Sequence, residues 1–168
     1  MTAASERRGE QHREFVPIIA AIETLEEHVG GTRIAPVKVS TASLHETLAH
    51  GLIPHAIGEG RTVFPVLRKI TGSSKAATEM NRQHQQIARL TDELESVRED
   101  LVRSGLGASE GRRLSEVLVD LRDTVREHFE AEEEACFEVL RAELSREDAR
   151  SVFEAMDQAA AEVRGLYE

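Results

Sequence analysis

The chain has one cysteine, no tryptophan, a single tyrosine and no long apolar run, and each shortage removes a class of protein. Cys136 alone cannot form a disulfide within the chain, so the fold does not depend on an oxidising compartment and a cytoplasmic location is expected. The longest apolar-rich stretch, residues 15–22, is far too short to cross a bilayer. The opening residues MTAASERRGEQHREF lack the apolar core of a secretory signal, so no membrane association is expected. Positive charge is also scarce: 21 Lys and Arg against 31 Asp and Glu leave a formal charge of −10. Nucleic acids and anionic lipids are bound by clustered Lys and Arg, so neither is an expected partner. With aromatics at 4% and no segment alternating apolar and polar residues, a β-sheet is disfavoured. Neither a Gly-rich nucleotide loop nor a placeable Ser-His-Asp arrangement occurs.

What is present is helical periodicity. A length of 168 residues, 40% of them apolar, suits one domain. Gly30-Gly31, Pro36, Gly72, Gly105 and Gly107 punctuate apolar residues that recur at helical spacing. The pattern predicts helices over about 11–29, 36–70, 74–103, 109–141 and 146–164. The fold class is therefore all-α: an antiparallel four-helix bundle over 11–141, after a flexible N-terminus (1–10) and before an additional C-terminal helix (142–168) packed on it as an appendage. That last helix opens with Ser145 three residues before Asp148, a capping spacing. Pro54, inside the second helix, is expected to remove a backbone hydrogen bond and bend the axis just before His55.

Two segments repeat. HAIGEGRTVFPVLR from His55 and HFEAEEEACFEVLR from His128 share His-x3-Glu-x4-Phe-x-Val-Leu-Arg. One more histidine stands upstream of each: His12 lies 43 residues before His55, and His84 lies 44 before His128. The chain thus reads as two similar helical hairpins. Residues four apart on a helix differ in direction by about 40°, so His55 projects beside Glu59 and His128 beside Glu132. An isolated pair of this kind is usually an ordinary surface contact; the repetition makes that account a poor one. Packed antiparallel, the hairpins bring two histidine-glutamate pairs and two further histidines to one interior volume. Four nitrogens with two carboxylates suit iron or manganese better than structural zinc.

Other polar residues carry less. HETLAH resembles a zinc-protease motif, but His45 and His50 are five apart and diverge by about 140°. His50 is read as exposed, or as a group supporting a ligand carboxylate. His28 suits a helix C-terminus and Cys136 a core. Phe64 and Phe137 are expected to pack around the site, and Glu133 is a reserve ligand within an acidic run.

The order of His12, HAIGE at 55–59, His84 and HFEAEE at 128–133 resembles the hemerythrin, or HHE cation-binding, family over about residues 10–141. The resemblance implies a four-helix bundle holding two non-haem iron ions bridged by two carboxylates and an oxo or hydroxo group. By position, His12 and His55 would cap one iron, His84 and His128 the other, and Glu59 and Glu132 would bridge. Oxygen-carrying members place a second histidine four residues from the third-helix ligand, where this chain has Met80 and Ala88. The expected function is therefore binding or reaction of a small ligand (dioxygen, peroxide or nitric oxide), with sensing or peroxide chemistry favoured over oxygen carriage. The alternative is an iron- or redox-responsive regulatory module read by a protein partner, and a metal-free helical interaction protein is the third reading.

Overall fold

A computed structural model describes residues 3–29, 31 and 34–166; the side chains of 3–14 and 16 lie outside that description. Among the described residues every regular element is a helix. The first, α1 (Ala3–Val29), starts earlier than expected, which the run AASERRGE accommodates through good helix formers. The predicted second helix is α2 (Ile34–Thr47) and α3 (Ile53–Thr71), joined without a break by a π turn over Leu48–Leu52. There the Ile53 N–H donates to the Leu48 carbonyl, five residues back. Pro54 follows, with no N–H to return to His50, so the proline expected to bend the axis sits where the wider turn hands over to α3. Gly72 ends α3 at φ 65°, the left-handed cap that glycine adopts freely.

α4 (Lys75–Ser104) returns and α5 (Ala108–Glu132) runs back again. A second π turn, Glu133–Phe137, leads into α6 (Glu138–Glu143). The last helix, α7 (Arg146–Arg164), begins as expected, with the Ser145 hydroxyl accepting the Asp148 N–H at 3.1 Å.

Two apolar cores are stacked along the helices. The lower one joins α1, α2, α4 and α5 through Ile22, Leu25, Val37, Leu48, Leu94 and Leu121. The upper one joins α3, α4, the second π turn, α6 and α7 through Phe64, Leu67, Met80, Cys136, Phe153 and Met156. The additional C-terminal helix, α7, packs on the bundle and supplies a wall of this upper core, with α3 as its main partner. Its apolar stripe requires burial, and Gly58 permits a close approach: a Cβ there would lie 2.7 Å from the Met156 carbonyl oxygen.

Gly58→Ala should therefore force α7 away and cost about 1–3 kcal/mol. Gly60→Ala, whose Cβ meets only Asn81 Oδ1 at 3.6 Å, should be neutral or mildly stabilising. Urea midpoints of the two variants check this, and equal midpoints would contradict the close approach.

Candidate metal centre

Between the two cores lies a polar layer contributed by three helices. On α3, His55 and Glu59 fall between Leu52 and Val63; on α4, Gln83 and His84 fall between Met80 and Ile87; on α5, His128 and Glu132 fall between Val125 and Cys136. The i, i+4 spacing does what the repeat implied, turning histidine and glutamate inward together. Glu59 and Glu132 are 0% and 1% exposed.

The donor atoms converge. His55 Nε2 lies 3.0 Å from Glu59 Oε1, and His84 Nε2 lies 3.3 Å from Glu59 Oε2. The Nε2 atoms of His84 and His128 are 3.2 Å apart, and His128 Nε2 is 3.7 Å from Glu132 Oε2. Two imidazole nitrogens at such a distance share a proton or a cation. Neither Glu59 oxygen receives an aligned hydrogen bond, although both ring nitrogens are near enough to give one. Donors that aim past each other at a common point fit a cation: neighbouring ligands on bonds of about 2.1 Å stand roughly 3 Å apart. Among the described residues two groups have the required proximity, Glu59 with His84 and His128, and His55 with Glu59 and Glu132. Glu59 belongs to both.

Burial would raise the Glu59 pKa. The charge of His55, with polar contacts to Glu132, His55 and His84, more than reverses this and holds the carboxyl well below the usual carboxylate range. Glu59 is thus kept as the anion that a cation needs.

Sequence reasoning missed Gln83. It is buried, and its Oε1 lies 3.4 Å from His128 Nδ1. An amide oxygen only accepts, so Nδ1 carries the proton and Nε2 keeps its lone pair for the site. The available signal was a polar residue beside His84 on an inward-facing stripe. Phenylalanine rings also pack one to each described site histidine: Phe15 on His55 (centroids 5.0 Å), Phe64 on His84 (5.5 Å, near parallel) and Phe129 on His128 (5.8 Å). Phe64 is one of the two expected to pack around the site; the other, Phe137, packs on Phe153 in the upper core.

The remaining candidates separate clearly. His12 lies three residues before Phe15 in α1, and its side chain is outside the described residues. Glu133, the reserve ligand, is exposed and paired with Arg141. His45 sits 3.4 Å from Glu95 and exposed His50 sits 3.7 Å from Glu46, and among the described residues neither belongs to a group close enough to hold a cation. Cys136 is fully buried, as expected.

A model of the hemerythrin HHE cation binding domain matches residues 7–104, more than half of the chain. The chain belongs to the hemerythrin family. No curated protein and no solved structure gives a match. The matched segment stops at the end of α4, so His128 and Glu132 of this hemerythrin-like chain join the site on geometry alone. Among the described residues no helix is long and apolar enough to cross a membrane.

If Gln83 orients His128, Gln83→Leu should weaken metal binding by about 10–100-fold while leaving helicity unchanged. Competition with a chelator measures the affinity and circular dichroism the fold; unaltered affinity would remove the assigned role.

Proposed function

We propose that the chain is a cytoplasmic non-haem diiron protein that binds or reacts with dioxygen, peroxide or nitric oxide at a carboxylate-bridged centre. One observation carries the reading: the two donor groups share Glu59, as a bridging carboxylate requires. His55, with His12 from α1, would hold one ion, and His84 with His128 the other, Glu132 being the second bridge. Such a centre supplies a redox couple and a position at which a small ligand can bind.

The chain's own residues prepare that chemistry. Phe15, Phe64 and Phe129 exclude water around the histidines, which preserves a reduced metal and strengthens local electrostatics. Gln83 holds His128 in the tautomer that presents Nε2. Met80 is committed to the upper core and Ala88 has no ligand atom, so the positions on either side of His84 add no nitrogen. That favours ligand reaction over reversible carriage.

Purified aerobically without added metal, the protein should contain on the order of two irons per chain and show charge-transfer absorption that bleaches on anaerobic reduction. His55→Ala and His128→Ala should each lose iron and the absorption. A colourless protein whose metal content is indifferent to both substitutions would overturn the assignment and favour the metal-free interaction reading.

A further inference from the structure

Beside the polar layer, between α3 and α4, lies a pocket of about 260 Å³. Leu52, Ile53, Ala56 and Ile57 line one side and Ile87 and Ala88 the other. Gly60 adds no side chain, His84 forms part of the wall, and the amides of Asn81 and Gln85 complete it. In a chain that is 31% charged, no Asp, Glu, Lys or Arg lines this pocket, so it offers nothing to compensate an ionic ligand. Its size is also informative. An apolar cavity of roughly 150 Å³ accommodates benzene, so this one exceeds what a diatomic molecule needs and has room for a substituted ring.

The polar groups fix an orientation. His84 turns Nε2 towards Glu59 and His128, while its Nδ1 has no protein partner among the described residues. The corresponding atom of His128 is taken by Gln83. A histidine that ligates through one nitrogen normally donates its other N–H to an acceptor, and here the pocket is where an acceptor can arrive. We propose that this pocket binds a small neutral organic molecule, its apolar body between α3 and α4 and one hydroxyl or carbonyl oxygen at His84 Nδ1. The inference rests on the metal reading for what His84 does with Nε2, whereas the apolar walls exist independently of it.

The test is a methyl-resolved NMR titration of the full chain, metal-free and zinc-loaded, with benzyl alcohol and with toluene. Saturable shifts confined to the lining methyls of Leu52, Ile53, Ala56, Ile57, Ile87 and Ala88 are expected, with toluene binding more weakly because it lacks an acceptor. Ala88→Leu and Gly60→Val, which fill the pocket from opposite helices, should each weaken benzyl alcohol binding roughly ten-fold or more. Ser43→Leu, in the separate groove between α1 and α2, should leave it unchanged. Non-saturating shifts, or full affinity in both filled variants with dispersed spectra, would overturn the pocket; equal affinity for toluene would overturn the contact to His84. Saturable binding without metal uptake would remove the diiron reading and keep the pocket, and metal uptake without saturable shifts would do the reverse.

Discussion

Two carboxylates buried side by side between apolar cores are the constraint on which the rest of the molecule depends. Removing a carboxylate from water costs several kcal/mol even after the protein relaxes, and two adjacent carboxylates repel each other. A chain that pays this for Glu59 and Glu132 must return the energy locally, and the groups that can do so are the histidines converging on them. A cation satisfies all these donors at once. Without one, Glu59 depends on the charge of His55 and on polar contacts to Glu132, His55 and His84, which keep it charged but leave its oxygens without aligned donors. The polar layer is thus the least self-sufficient part of an otherwise well-packed bundle, and the apolar layers above and below bear the cost of holding it together.

The same constraint explains the neighbours. A phenylalanine ring beside each of His55, His84 and His128 lowers the local dielectric and restricts ring rotation, so the Nε2 atoms stay turned inward. α7 packs on α3 and completes the upper core, a wall that lies outside the matched family segment, α1 to α4. Gly58, immediately before Glu59, is where that cover comes closest.

Much of this was legible in the sequence, because helical spacing and the repeated histidine-glutamate motif are both local signals. Five helices and the inward set His55, Glu59, His84, His128 and Glu132 follow from them. What escaped is what local signals do not encode. Gln83 and Phe129 look like ordinary helix residues until a neighbouring helix is placed against them, and Glu133 looks like a ligand until Arg141 claims it. The role of α7 was hidden for a similar reason: its amphipathic stripe shows that it packs somewhere, but its partner depends on a missing side chain at Gly58.

The π turns had a sequence signal of a subtler kind. From Val37 the buried ladder runs through Thr41, Leu44, Leu48, Leu52, His55, Glu59 and Val63 to Leu67, eight steps over thirty residues. Eight regular turns at 3.6 residues would use about 29, so an uninterrupted α-helix would rotate this stripe by about one residue, turning one end away from the axis. The ladder from Leu114 through Leu118, Leu121, Val125, His128, Glu132 and Cys136 to Leu140 shows the same surplus, seven steps over 26 residues against about 25 for regular turns. One inserted residue absorbs each surplus, and the π turns are those insertions, placed just before His55 and just after Glu132. The widened backbone at these two places takes up the surplus of each ladder, which lets the site and both cores share an axis.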